Sequence, residues 1–343
     1  MESLSWSVDD LWNSSIIKAD RPLVKRDYEW ASSLGYPMID RFLKMNAVPV
    51  TNRPTLRALR KFEAGNVYEF LVRFVLQRAG IILDRQQEIW TNYPGLLRVK
   101  GKLDFLAGGK PNFEMAKRDV RALCLPPSIE ASSLYIVEKL RDKYGDQSLK
   151  EIIIEVKSCS TFVMDKLDVI KRPLPQHSSQ CFHYLKGLQM DEGHVLYVCK
   201  DDLRLLEFGV WNPDKAKSSD PQEEYSNEPE HIYLNDISKL TSYVQNGERP
   251  PLEEEILWEP DHSRFNKNIG IEYSNYLTYL YGYKDLDEYK AATAPKISRW
   301  NRVLDRYAKG DKLTDKNKEV MEEIVKGGWD FDGLVSQVKD RLR

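Results

Sequence analysis

Residues 101–106, Gly-Lys-Leu-Asp-Phe-Leu, and residues 151–157, Glu-Ile-Ile-Ile-Glu-Val-Lys, decide how this chain is read. Each is a strand-like apolar run with a carboxylate at its edge, Asp104 in the first and Glu155 in the second. Lys157 follows Glu155 by two positions, and in a strand that spacing puts both side chains on one face. An unpaired charge is costly to bury. Glu155, directly after Ile152-Ile153-Ile154, is therefore better explained by a bound cation than by a surface role. Two acids and an ammonium converging at strand ends can hold a divalent cation while a positive group meets an attacking water or a phosphate. That is the equipment of metal-assisted phosphodiester hydrolysis.

Outward from these strands the pattern alternates helix and strand. Leu56, Leu59, Phe62, Val67, Phe70, Leu71, Phe74 and Val75 recur at three- and four-residue steps, which predicts a helix over 55–79 with Gly80 as its C-terminal cap. Strand-like pieces follow at 81–83 and 96–99. Between the two acidic strands lies an insertion, residues 108–147, far longer than a hairpin connection. Ser128-Ile129-Glu130 predicts a helix start within it. Long loops in compact domains are usually functional or structured, so a flap over a substrate and an inert elaboration both stand open. After Lys157 come a basic loop (Lys166, Lys171, Arg172) and a helix carrying Gln180–Leu188, then a hairpin over 194–199 and 205–211. The order indicates an α/β or α+β chain, with α/β the favoured class, divided into an N-terminal helical and loop extension (1–54), a core (55–211), and an acidic loop with a mostly helical C-terminal region (212–343).

Composition restricts the partners. The formal net charge of the 343-residue chain is -2, so contact with a polyanion has to come from local clusters. From Arg41 to Lys61 the chain carries Arg41, Lys44, Arg53, Arg57, Arg60 and Lys61 and no acid. Arg53, Arg57, Arg60 and Lys61 would form one stripe on a helix. Such a run fits a phosphate track or a solvated helix face. The four cysteines are scattered without a C-x-x-C pair, which argues against a zinc ribbon or a disulfide framework. No signal-like start and no apolar stretch of membrane-spanning length is seen, so the expectation is a cytoplasmic, reduced protein without membrane contact.

Four pieces occur in a fixed order: Gly65-Asn66-Val67-Tyr68-Glu69, Gly101-Lys102-Leu103-Asp104, Glu155-Val156-Lys157 and Gln180-Cys181-Phe182-His183-Tyr184. Together they resemble the PD-(D/E)XK nuclease superfamily, and within it the RecB-like group that includes lambda-type phage exonucleases. The resemblance covers roughly residues 63–211. It implies a restriction-endonuclease-like core, a central mixed β-sheet flanked by helices, with helical additions at both ends. It implies that Asp104, Glu155, Glu69 and the carbonyl of Val156 hold Mg²⁺, with Mn²⁺ able to substitute. Lys157 would orient or help deprotonate the water or offset phosphate charge, while Gln180 and Tyr184 would touch the metal-bound water or a DNA phosphate.

Glu63 competes with Glu69 for the first position, and the Gly-x-x-x-Glu spacing favours Glu69. His177 and His183 are not needed by a carboxylate–lysine site. Ser158, Lys166, Lys171 and Arg172 join Arg53, Arg57, Arg60 and Lys61 as candidate DNA contacts. Some relatives carry an iron–sulfur cluster through a C-terminal cysteine group. Here the last cysteine is Cys199, so none is expected. The implied activity is a metal-dependent DNA nuclease, an exonuclease processing double-stranded ends in recombination, repair or phage replication, with a single-strand annealing or replication protein as partner. A structure-specific or single-strand endonuclease with the same site, or a catalytically decayed DNA-binding or assembly protein, are the alternatives.

Overall fold

Ile152-Ile153-Ile154 are β-branched and nearly continuous in hydrophobicity, the composition of a strand covered on both faces. In the computed structural model they form the middle of the longest strand, β6. The described residues are 7–17, 24–36, 38–48, 56–145, 147–212, 228–250, 299–300, 302–326 and 335. In chain order the elements of the first part are α1 (Val8–Ile16), β1 (Tyr28–Trp30), α2 (Met38–Met45), α3 (Leu56–Ala79), β2 (Ile82–Arg85), β3 (Glu88–Thr91), β4 (Arg98–Lys102) and β5 (Phe105–Gly109). Then come α4 (Phe113–Ala122), α5 (Pro127–Tyr144), β6 (Leu149–Cys159), α6 (Thr161–Ile170), α7 (Pro175–Leu188), β7 (Glu192–Cys199), β8 (Leu205–Trp211), α8 (Glu228–Asn246) and α9 (Asp315–Lys326).

The strands make two mixed sheets flanked by helices, an α/β architecture. A five-stranded sheet has the order β2-β5-β6-β7-β8, with β6 and β7 parallel and the other neighbours antiparallel. A three-stranded sheet has the order β1-β4-β3, β1 parallel and β3 antiparallel to the central strand. One face of the larger sheet buries Ile153, Val195 and Tyr197 with Cys181, Phe182 and Leu185 of α7. The other buries Ile154, Phe105 and Ala107 with Val72 of α3.

The described residues fall into two compact units. The first is drawn from Met1–Gly35, Met45–Ala47 and Thr55–Glu248, the second from Tyr36–Lys44, Val48–Pro54 and Arg249–Arg343. The first unit thus reaches past residue 211 to α8, because Tyr233 and Ile237 belong to the same apolar cluster as α7. In the second unit Ile39, Leu43, Trp300, Val303, Leu304, Val320 and Ile324 are buried. Most of the C-terminal region, and residues 213–227 of the expected acidic loop, lie outside the described residues.

Several sequence expectations shift. The helix at α3 ends at Ala79 with Gly80 at φ +68°, as its cap position requires. Its apolar stripe is not the buried one, however. Phe62, Val67, Phe70, Leu71 and Val75 are exposed while Val72 is buried and Tyr68 and Leu76 pack beside it. The insertion holds two helices. Asn112 caps α4 by accepting from the Met115 amide, and α5 enters through Pro126–Pro127 with Ser128 already inside the helix. Both helices cluster with Phe74 of α3 through Phe113, Val120, Val137 and Leu140. Lys166 lies in helix α6 rather than in a loop, since Met164 and Leu167 supply a buried face there. Asp104 sits in the bend before β5 rather than within a strand.

Candidate active site

Strands β5 and β6 are paired as far as Phe105 opposite Ile154. Beyond that point the chain of β5 gives way to the bend at Asp104, while β6 runs on to Cys159. The Asp104 carboxylate meets the edge that this divergence uncovers: its Oδ2 accepts a hydrogen bond from the Val156 amide at 2.8 Å. In a strand the carbonyl of a residue leaves on the same edge as its amide, so the Val156 carbonyl shares that edge.

Glu155 and Lys157 share the sheet face covered by α7. Glu155 is 2% exposed, and its Oε1 lies 2.6 Å from Lys157 Nζ. The ammonium donates to Gln180 Oε1 at 2.9 Å, Gln180 Nε2 donates to the Tyr184 hydroxyl at 3.0 Å, and that hydroxyl donates to the Lys102 carbonyl at 3.0 Å. A polar chain therefore runs from the buried glutamate, along one face of α7, to the strand that precedes Asp104. The start of α7 is pinned by Tyr197, whose hydroxyl accepts from the Leu174 amide at 3.0 Å and bonds His177 Nδ1 at 2.8 Å.

Gly101 explains itself here. A Cβ at this position would stand 2.5 Å from Tyr184 Cε1 and 2.8 Å from His183 Cδ2. Only a residue without a side chain lets β4 lie against those rings closely enough for Tyr184 to reach the next carbonyl.

The electrostatics follow from burial. Desolvation, then the Glu155 and Glu69 carboxylates, hold the Asp104 carboxyl well above the usual carboxylate range. Burial likewise raises Glu155, opposed by Lys157 and aided by Glu69. Glu155 Oε2 is buried without a hydrogen-bond partner. Glu69 is the acid of α3 that these carboxyls feel, and its Oε1 accepts from Gln86 Nε2 at 2.7 Å. Glu63 is exposed and pairs with Asn66 at 3.1 Å. Gln86 was not singled out by sequence reasoning. No pattern marks it, since it reaches Glu69 only because β2 ends beside α3.

Among the described residues, no three or more His, Cys, Asp or Glu side chains gather as a ready metal-binding group. What gathers at the β5–β6 divergence is a smaller oxygen set: the Asp104 and Glu155 carboxylates and the Val156 edge. Magnesium keeps several waters and often takes only one or two carboxylates. The unpartnered buried oxygen of Glu155 and the mutual repulsion of the acids fit such a cation.

The remaining candidates divide. Ser158 is half-buried, with its Oγ 3.7 Å from where a Cβ on Gly65 would stand, so it faces α3. Arg57 and Lys61 are exposed on α3, whereas Arg60 is committed to Asp9 and to Asn13 of α1. Arg53 lies outside the described residues. Lys171 pairs with Asp168 at 2.6 Å, and Lys171 and Arg172 line a cavity of about 330 Å³ with Phe208 and Trp211. Lys166 is exposed on α6.

His183 bonds Thr91 Oγ1 at 3.1 Å and the Ile89 carbonyl at 3.2 Å, and burial pulls its pKa down to about 4. Burial takes His177 to about 3. Both are neutral structural groups that tie α7 to its neighbours.

No protein-family model matches the chain, and no characterised protein matches it in sequence. Among solved structures, one titled "Crystal structure of SSO0001" is 14% identical, covering 77% of this chain and 95% of that one, with a TM-score of 0.39. A likeness that loose carries no argument about fold or activity.

Proposed function

We propose that the protein is a divalent-metal-dependent DNA nuclease of the PD-(D/E)XK superfamily. Its restriction-endonuclease-like core would be the five-stranded sheet with α3 and α7 on opposite faces. One observation carries the reading: a buried glutamate with one oxygen on Lys157 and the other without a partner, beside Asp104, at the point where two strands diverge. A fold gains nothing in stability from such an arrangement, but a cation would complete it. Asp104, Glu155 and the Val156 carbonyl, with Glu69 behind them, would hold Mg²⁺ or Mn²⁺. The bound ion would supply Lewis-acid stabilisation and a more acidic water.

The protein's own groups would do the rest. Lys157 would present an ammonium to the water or to the charge developing on the scissile phosphate. Gln180 would hold that ammonium in place, and Tyr184 would hold Gln180. Exonuclease action on DNA ends is the favoured form, and an endonuclease would use the same residues.

The test is digestion of end-labelled linear and closed circular DNA with Mg²⁺, by the wild type and by Asp104→Asn. Loss of the linear substrate alone supports an exonuclease, and loss of both an endonuclease. If neither is cut with Mg²⁺ or Mn²⁺, or if Asp104→Asn cuts at the wild-type rate, the reading fails.

A further inference from the structure

The three-stranded sheet presents a face that the nuclease site does not use. Along β4, Val99 and Gly101 are buried, so Arg98, Lys100 and Lys102 point to the opposite face. Directly paired residues share a face. Tyr28 lies opposite Arg98 and Trp30 opposite Lys100 on β1, while Trp90 lies opposite Lys100 and Glu88 opposite Lys102 on β3. The intervening Glu29, Ile89 and Thr91 are buried. The outer face is therefore a basic row flanked by aromatic rings.

The rings and cations are organised around one another. Lys100 Nζ stands 5.1 Å from the centre of Trp90, 5.3 Å from Trp30 and 5.7 Å from Tyr28, and 2.7 Å from the Glu88 carboxylate. The Arg98 guanidinium lies 5.2 Å from Trp90 and pairs with Asp27 at 2.7 Å. Tyr28 meets Trp90 and Trp30 edge-on. Arg26 lies over Tyr28 at 5.7 Å. Among the described residues, Asp27 and Glu88 are the acids paired on this face, against Arg26, Arg98, Lys100 and Lys102, so a positive surplus remains there. Trp90 is 39% exposed, and Arg98 and Lys102 are exposed.

We infer that this face is a stacking platform for single-stranded nucleic acid. Aromatic side chains set among cations bind single strands because every unpaired base has a π-face to stack while the cations meet the backbone. In a duplex those faces are already stacked, so the platform favours the single strand. The position suits a strand on its way to the site. The basic row ends at Lys102, whose carbonyl receives the Tyr184 hydroxyl, and Asp104 follows two residues later. From Arg98 to Lys102 the row spans roughly 13 Å. The assignment of this strand as the nuclease's substrate rests on the reading above, whereas binding itself does not.

The experiment is fluorescence anisotropy of a labelled oligo(dT), and of a blunt duplex of equal length, with the full chain in EDTA. The wild type should bind the single strand more tightly than the duplex. Trp90→Ala should weaken oligo(dT) binding by about 5- to 150-fold, the range seen for losing one stacked base, and Trp90→Phe should retain most of it. Lys102→Glu, an exposed change with little risk to folding, should lower the slope of log affinity against log salt by about 0.7.

Isotherms of Trp90→Ala and Lys102→Glu that overlay the wild type on oligo(dT) overturn the platform, as does duplex binding equal to or tighter than single-strand binding. If the protein cleaves no DNA yet loses oligo(dT) with Trp90→Ala, the platform stands and the nuclease reading falls. If cleavage is intact and Trp90→Ala binds normally, the reverse holds.

Discussion

Replacing Lys157 by Met tests the electrostatic account of the site at its most exposed point. In the wild type the ammonium sits 2.6 Å from Glu155 Oε1 and donates to Gln180 at 2.9 Å, while Glu155 is 2% exposed with Oε2 unpartnered. Met fills the volume but removes the one cation that, among the described residues, pairs with this carboxylate. Breaking a buried pair from one side costs about 3–5 kcal/mol, because the remaining ion is left uncompensated. The carboxyl can escape part of that cost by taking a proton, so the deficit should shrink in acid and grow as pH rises through its raised pKa.

Two further results should follow. Glu155→Gln combined with Lys157→Met removes both charges and should recover most of the loss. A divalent cation should also rescue the single variant, since it replaces the missing positive charge. At a hundredfold excess over its dissociation constant a ligand that binds only the folded state contributes about 2.7 kcal/mol. Urea denaturation in EDTA and in Mn²⁺ reads all of this as shifts in midpoint. The reasoning is refuted if Lys157→Met unfolds at the wild-type midpoint in EDTA at alkaline pH, or if Mn²⁺ moves neither protein.

Other changes separate the roles of neighbouring residues. Asp104→Asn keeps an acceptor for the Val156 amide but loses the charge. It should therefore fold normally and cut DNA ~10²–10³-fold more slowly, the scale of a lost transition-state contact, as single-turnover rates would measure. Glu69→Gln should weaken metal binding followed by calorimetry, whereas Glu63→Gln, exposed and remote from the raised carboxyls, should leave it unchanged. Gly101→Ala forces a Cβ against the rigid rings of Tyr184 and His183. It should cost about 1–3 kcal/mol in denaturation and slow cleavage by displacing the Tyr184–Gln180–Lys157 chain.

The pH dependence of stability should have two limbs in EDTA. His183 and His177, depressed to about 4 and about 3, bind protons more readily when unfolded, so stability falls as pH drops below about 6.5 toward those values. Asp104 and Glu155, both raised, hold protons in the folded state, so stability falls as pH rises through their titration, and Mn²⁺ should abolish that second limb in thermal melts.

The legible parts of this chain were those in which local pattern and burial agree. Ile152-Ile153-Ile154 followed by Glu155 reads as a covered strand with one anomalous charge, and that strand is central in the sheet. The hairpin of β7 and β8 was equally plain, for its pairing is local. The three-stranded sheet was not. Its shortest strand, Tyr28–Trp30, pairs in parallel with Arg98–Lys102 across a long stretch of chain, and non-local pairing leaves no trace in local periodicity. Helix α3 was legible as a helix but not in its orientation. Its apolar residues run nearly all round, so the spacing named a stripe while packing selected Val72 instead.

The site itself shows the same division between what spacing can specify and what only packing can. Positions two apart on a strand and four apart on a helix place Glu155 with Lys157 and Gln180 with Tyr184, and those relations are fixed by backbone geometry alone. The link between the two pairs depends on how α7 lies on β6, and the glycine that permits this lies on a third element, β4. Gly101 is thus more than the first letter of a motif. Its missing side chain admits Tyr184, the Tyr184 hydroxyl reaches Lys102, and the hydrogen bonds that follow set the ammonium on Glu155. A sequence whose local choices all served stability would satisfy both oxygens of that glutamate or replace it. Here several elements instead keep it buried, with Lys157 on one oxygen and no partner on the other, the arrangement that the proposed cation site requires.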